Sequence, residues 1–200
     1  LGVQGLAYSV LPLGGNADPV LIFYLTPGTN SSLQMIVCSR MNCPESPSPV
    51  TIGTGLGTVD LNTPPVRSVI IDQTAWVVVA GPSPSSFKCV ASSSSAIPED
   101  CSDTTRWTRE QISTDTATWL SLAVHSSHSL PIVAYTTSSG ELKYAVYDSG
   151  WGTPETVVSG LATGSGYPAI THYTEGSTGF VAIVFFDAAT QRIRIATRSG

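Results

Sequence analysis

Short apolar runs rich in Val, Ile, Tyr and Phe alternate with Gly, Ser, Pro and Asn turns along the whole chain, and one pattern of such runs returns four times. Together these observations predict an all-β chain. They predict specifically a β-propeller of four-stranded antiparallel blades, about four of them here, the last lacking its outer strand. No stretch keeps a helical period for more than two turns.

The repeat rests on two strands in each unit. The first of the pair reads Pro19–Tyr24, Ala75–Ala80, Leu130–Tyr135 and Phe180–Phe186. After a short polar turn comes Leu33–Val37, Phe87–Val90, Leu142–Val146 and Ile193–Ala196, with leading residues 54, 55 and 51 positions apart. In the third unit four strands are legible: Leu120–Val124, Pro131–Tyr135, Leu142–Tyr147 and Thr153–Val158. Ser138–Gly140 and Tyr147–Trp151 supply the turns between the later pairs. Four antiparallel strands about every 50 residues is the spacing of a propeller blade. A β-sandwich, at about 100 residues per domain, leaves the fourfold match unexplained. The expected organisation is one domain, with blades over 5–53, 65–114, 118–159 and 166–200.

Only 12% of the 200 residues are charged, against about a quarter in an average soluble domain. Ser, Thr, Gly and Pro take their place, a surface suited to a secreted or cell-surface protein. The net charge of −5, with Lys88 and Lys143 the only lysines, offers no footprint for nucleic acid. No apolar run approaches the roughly 18 residues of a membrane span. The first residue is Leu1, with neither methionine nor signal peptide, as expected of a processed form or a fragment.

The third and first units resemble a widespread extracellular propeller repeat, of the PVISYYD…GDLKVA…Cx4C type. Pro131–Tyr135, Gly140–Ala145 and Thr156–Val157 carry the resemblance, together with Cys38–Cys43. Such repeats are distantly similar to sialidase-like and fungal-lectin propellers. The resemblance implies fold and compartment rather than activity.

Four cysteines allow three pairings. Cys38 and Cys43 fall in one loop, and Cys89 and Cys101 bracket the matching loop of the second unit, so two local bridges are the economical expectation. A zinc site would need closer pairs and a nearby His, and neither loop has them. No metal or cofactor is expected.

His125 and His128 form an His-x-x-His, but on an extended strand positions i and i+3 face opposite ways. Aligning the first strands places Asp72, His125 and His172 in equivalent positions, each closing an innermost strand. As turn-capping residues they need no ligand; ringing a propeller mouth, they are candidate ligand contacts. A sialidase-like hydrolase needs an arginine triad on separate blades, a tyrosine nucleophile and an acid/base Asp. Among Arg40, Arg67, Arg106, Arg109, Arg192, Arg194 and Arg198, only Arg67 falls on an expected inner strand. Phosphate loops and nucleophile elbows are absent from the sequence as well, so no enzyme is expected. For a lectin, aromatic rings between blades would stack on a sugar. Trp107, Trp119, Trp151 and Tyr167 are the candidates, although Trp107 and Trp151 also suit blade packing.

The fourth unit supplies three strands, the last over 192–198. The Leu1–Gln4 lead is too short to cross about three strand spacings and complete it. An open edge of this kind calls for neighbouring copies or further blades. The sequence thus points first to a secreted structural or adhesive module, an oligomer or fibre subunit. A carbohydrate-binding propeller is the alternative and a sialidase-like hydrolase the least supported.

Thr29-Asn30-Ser31-Ser32 contains a glycosylation acceptor between two strands. Material secreted by a eukaryotic host should exceed the 20.9 kDa polypeptide mass by one glycan, removed by Asn30→Gln. An intact mass equal to the bare chain would reject occupancy.

Overall fold

The computed structural model describes residues 6–10, 20–26, 29–38, 48–59, 66–93, 97–126, 128–176 and 178–199, with 6–10, 20 and 98 as backbone only. Among the described residues fifteen strands form four antiparallel sheets, each built from consecutive strands. The first contains β1 (Leu6–Val10), β2 (Val20–Leu25), β3 (Leu33–Cys38) and β4 (Val50–Gly53). The second contains β5 (Val66–Ile71), β6 (Thr74–Val79), β7 (Ser85–Val90) and β8 (Trp107–Gln111). The third contains β9 (Ala117–His125), β10 (Leu130–Thr137), β11 (Leu142–Val146) and β12 (Glu155–Val158). The fourth has three strands, β13 (Gly166–Glu175), β14 (Thr178–Asp187) and β15 (Arg192–Ser199). The inner strands pack in the order β1, β5, β9, β13, as blades of a propeller do.

The core lies between blades, not within one sheet. Side chains alternate across a strand, so each blade sends one set to the preceding blade and the other to the following one. Phe23, Leu25, Leu33 and Met35 of the first blade meet Val66, Val77, Phe87 and Trp107 of the second. Val78 and Ala80 of the second meet Leu120, Val133, Tyr135 and Ala145 of the third. Ile132, Ala134, Leu142 and Tyr144 of the third meet Ile170, Val181, Ile183 and Phe185 of the fourth. Polar contacts cross the same seams: Trp151 Nε1 donates to Ser86 Oγ at 2.7 Å, and Arg198 pairs with Glu155.

The alignment of repeats needs one correction. Phe87 stands level with Leu33 and Leu142 by spacing, yet those two face the following blade and Phe87 faces the preceding one. Here Ser86 and Lys88 face forward, bonding Trp151 and Tyr147. The second unit is therefore out of phase by one residue, and a one-residue slip turns every side chain to the other face.

Cys89 and Cys101 form the expected local bridge, Cα atoms 5.8 Å apart. It closes a loop with a short helix, α1 (Ile97–Asp100), and Trp107 Nε1 donates to the Cys101 carbonyl at 2.8 Å. Cys38 is buried and disulfide-bonded, while Cys43, its expected partner, lies outside the described residues. Residues 1–4, whose reach to the β15 edge is at issue, also lie outside them. Asn30 is exposed in the β2–β3 turn. Among the described residues no helix is long and apolar enough to cross a membrane.

Closing a loop of this length restricts the unfolded chain by about 3 kcal/mol. Replacing Cys89 and Cys101 together by alanine should lower the melting temperature by roughly 5–10 °C, read by circular dichroism. An unchanged melt would mean that the loop is already ordered by other contacts.

Candidate functional site

Two of the aromatic candidates come together. Trp119, near the start of β9, and Tyr167, near the start of β13, have ring centroids 3.7 Å apart with planes tilted by 36°. Local backbone forces the pairing. Gly166 has φ +152°, and a Cβ there would stand 2.3 Å from Trp119 Cδ1, so only glycine lets β13 pass the indole. Tyr167 then takes a left-handed φ of 55°, unfavourable for an aromatic residue. The β13–β14 register shifts between Gly166 and Ala169, which is where this bend is absorbed. The ring ends 60% exposed, held out on the surface.

These rings stand at a cleft of about 500 Å³ between the third and fourth blades. Its polar wall is the β10–β11 turn: Thr136, Thr137, Ser138, Ser139 and Gly140, with Thr118 beside them. The opposite wall is the loop 161–165 leading into β13. Hydroxyls along the first wall are ordered by one another, Thr137 Oγ1 with Ser139 Oγ at 2.8 Å and Thr118 Oγ1 with Thr136 Oγ1 at 3.0 Å. The two walls are joined where Leu161 N donates to the Gly140 carbonyl at 2.8 Å. Gly140 has φ +79°, and a Cβ there would come within 2.5 Å of the Leu161 carbonyl oxygen. Its glycine thus allows the close approach that sets the cleft's width.

Every polar side chain in the lining is uncharged. Charged groups stand behind the wall instead. Lys143 pairs with Asp115 at 3.0 Å and Glu141 at 3.2 Å, and Tyr135 donates to Asp115 at 3.2 Å. The hydrogen bond to Asp115 raises the Lys143 pKa. Burial pushes the Tyr135 phenol up to about 12, keeping it a neutral donor. The network anchors the hairpin that carries the hydroxyls.

The remaining candidates have other roles. Trp107 is buried against Phe23, centroids 5.8 Å apart, and Trp151 packs on Tyr147 at 5.6 Å; both serve blade packing. Asp72 is exposed in the tight β5–β6 turn with φ 53°. Arg67 lies on inner strand β5 and donates to its neighbour's carbonyl, Val66 O, at 3.0 Å.

All three histidines of the chain meet at one end of the third and fourth blades. His125 lies 3.6 Å from His172 and 4.8 Å from His128, ring to ring. The opposite-face expectation fails for the last pair because the strand ends at His125. Ser129 N donates back to the His125 carbonyl at 2.9 Å, turning His128 over it. His172 does not close its strand, since β13 runs on to Glu175 through its hairpin with β14. It is buried, and its Nδ1 accepts the Ser126 backbone N–H at 3.1 Å. His125 stacks on His128 and lies tilted against His172. Among the described residues no group of three or more His, Cys, Asp or Glu is arranged to hold a metal.

The pairing of Trp119 with Tyr167 had no sequence signal beyond residue type, because the positions are far apart in the chain. The Ser138–Gly140 turn was legible only as a hairpin, though its hydroxyls make the wall.

No family model and no curated protein matches the chain. Its likenesses are to solved structures of β-propeller type. AofleA from Arthrobotrys oligospora is 13% identical with a TM-score of 0.60, over 99% of this chain and 55% of that one. BP39L lectin from Burkholderia pseudomallei is 12% identical with a TM-score of 0.55, over 98% and 52%. The catalytic domain of a Coprinopsis cinerea GH62 α-L-arabinofuranosidase is 14% identical with a TM-score of 0.52, over 99% and 65%. The chain spans about half to two thirds of their lengths, and likeness at such identity shows the fold alone.

Burial and the neighbouring His172 and His128 hold the His125 pKa below its usual 6.5. The unfolded chain takes up that proton more readily, so stability from the neutral ring is complete above 6.5 and is lost as pH falls through the depressed folded value. The melting temperature should therefore fall between about pH 7.5 and about pH 5, and fall less in His125→Gln. Equal slopes would remove the cluster as the cause.

Proposed function

We propose that this chain is a carbohydrate-binding β-propeller module of a secreted or cell-surface protein, seating an uncharged sugar in the cleft against Tyr167 and Trp119. The observation that carries the reading is Tyr167. An aromatic ring held in a disfavoured backbone conformation, 60% exposed, over a wall of hydroxyls gains nothing as core. A sugar supplies what the site lacks. One apolar ring face covers the phenol, and its hydroxyls exchange hydrogen bonds with Thr and Ser side chains. An acidic sugar would need Lys or Arg, and the lining residues include neither.

Binding without cleavage is the reading the lining supports. Glycoside hydrolysis needs two carboxyl groups flanking the scissile bond, and the cleft is lined by Thr, Ser, Gly, Leu, Ala, Trp and Tyr alone. The lectin and hydrolase named among the structural neighbours add no weight between these alternatives beyond a shared scaffold. The disulfide fits an oxidising compartment.

A test uses neutral monosaccharides (galactose, mannose, fucose, N-acetylglucosamine, arabinose and xylose) alongside sialic acid, with tryptophan fluorescence and calorimetry. At least one neutral sugar should bind at about millimolar strength, ~4 kcal/mol, and sialic acid more weakly. Tyr167→Ala should weaken binding by about tenfold, since an aromatic stack contributes about 1 kcal/mol beyond its buried area. Failure of every neutral sugar, or undiminished binding by Tyr167→Ala, would overturn the reading.

A further inference from the structure

The third seam differs from the other two in how the linker between its blades is held. In the first two, the linker is tied to the middle turn of the preceding blade by two backbone hydrogen bonds. Leu56 N donates to Ser31 O at 3.2 Å and Ser31 N to Gly57 O at 2.9 Å in the first. In the second, Ile112 N donates to Pro84 O and Ala117 N to Gly81 O, both at 2.8 Å. Among the described residues the third seam has one such bond, from Leu161 N to Gly140 O. Past it the linker closes on itself, Ser165 N donating to Ala162 O at 3.0 Å. The result is a groove with exposed walls, Ser138 and Ser139 on one side and Ala162, Thr163 and Gly164 on the other.

Exposed walls bear on the size of the ligand. A small-molecule pocket binds by burying most of its ligand, roughly 70–90% of the surface. A single sugar between walls that are themselves exposed keeps much of its surface in water. The volume of about 500 Å³ falls in the range of roughly 300–1,000 Å³ that houses drug-sized ligands, and one hexose is about half of such a ligand. The hydroxyls of the lining also divide into two kinds. Thr137 Oγ1 accepts Glu141 N at 3.0 Å besides its bond to Ser139, Thr118 and Thr136 hold each other, and Ser165 Oγ accepts Ala188 N at 2.9 Å. Ser138 and Thr163, on opposite walls, have no side-chain hydrogen bond among the described residues. Water satisfies such hydroxyls until a ligand hydroxyl replaces it bond for bond.

We infer that the groove takes a neutral oligosaccharide of two or more linked units, not a single sugar. One unit stacks on Tyr167, and the next lies between Ser138 and Thr163 and exchanges hydrogen bonds with both. The inference rests on the sugar reading of the cleft and adds to it a substrate class and two specificity-determining residues. Because no one unit is enclosed, affinity accumulates along the chain. A polymer of uronic acids is excluded, since its carboxylates would meet no cation in the lining.

Calorimetry should compare neutral monosaccharides with the disaccharides they form: glucose with cellobiose and maltose, xylose with xylobiose, mannose with mannobiose, N-acetylglucosamine with chitobiose. The best disaccharide should bind about tenfold more tightly than its monosaccharide, the sum of two hydrogen bonds of ordinary net strength. Replacing Ser138 by alanine and Thr163 by valine together should bring that ratio down to about one. Both positions are exposed, so the circular dichroism melt should not move. Tyr167→Ala, by contrast, should weaken both ligands and leave the ratio in place. A disaccharide bound no more tightly than its monosaccharide, or a ratio that survives the double replacement, would overturn the inference. Either result, with monosaccharide binding still weakened by Tyr167→Ala, would leave the sugar reading standing; a chain that binds no neutral sugar of either size would remove both.

Discussion

The second and third blades of this chain are each a filling between two others, and that constraint governs the rest. A sheet with one wet face can alternate apolar and polar residues; a sheet covered on both faces cannot. The middle strands are accordingly apolar throughout: Val77, Val78 and Val79 are all buried, as are Ile132, Val133, Ala134 and Tyr135. Polar character is driven to the turns, the outer strands and the seams where blades diverge. The cleft is such a seam. Between the third and fourth blades the hydrophobic layer is complete at Leu142 and Ile183, but beyond it the β10–β11 turn and the loop 161–165 stand apart. The hydroxyls that line the gap are turn residues, there because turns favour Ser and Thr.

The same constraint explains how far the sequence could be read. Continuous apolar runs at regular spacing identify strands and blades, so the four sheets were legible, the last with three strands among the described residues. Direction was not. In a run such as Ala75–Ala80 nothing distinguishes forward from backward residues, and the second unit's alignment slipped by one for that reason. The histidines illustrate a different limit. Reading His125 and His128 as strand neighbours assumed that the strand continued, whereas it ends at His125 and the chain turns one ring onto the other. Tyr167 and Trp119 were legible as residue types suited to sugar, not as a pair, because the glycine beside Tyr167 acts through a backbone angle that composition does not record.

Stability and recognition are divided between different seams. The first seam is stapled at its rim by Cys89–Cys101 and filled by Phe23, Phe87 and Trp107. At the second, Lys88 lies over Trp76 and Tyr147 while pairing with Glu110. The third has neither a bridge nor a tryptophan in its core, and the cleft lies along it. Trp107 and Trp151 are committed to packing, and Trp119 keeps a face for solvent.

Each sheet is made from strands consecutive in the chain, so no blade waits for a distant segment to complete its hydrogen bonds. During synthesis a blade can therefore form as soon as its own stretch has emerged from the ribosome. Its forward face, however, stays bare until the following hairpin arrives. Growth is a succession of sticky intermediates, each shielded by the next. The order of the chain is then also a schedule for hiding apolar surface, and a pause in translation after any blade prolongs the exposure of that blade's forward face to other molecules.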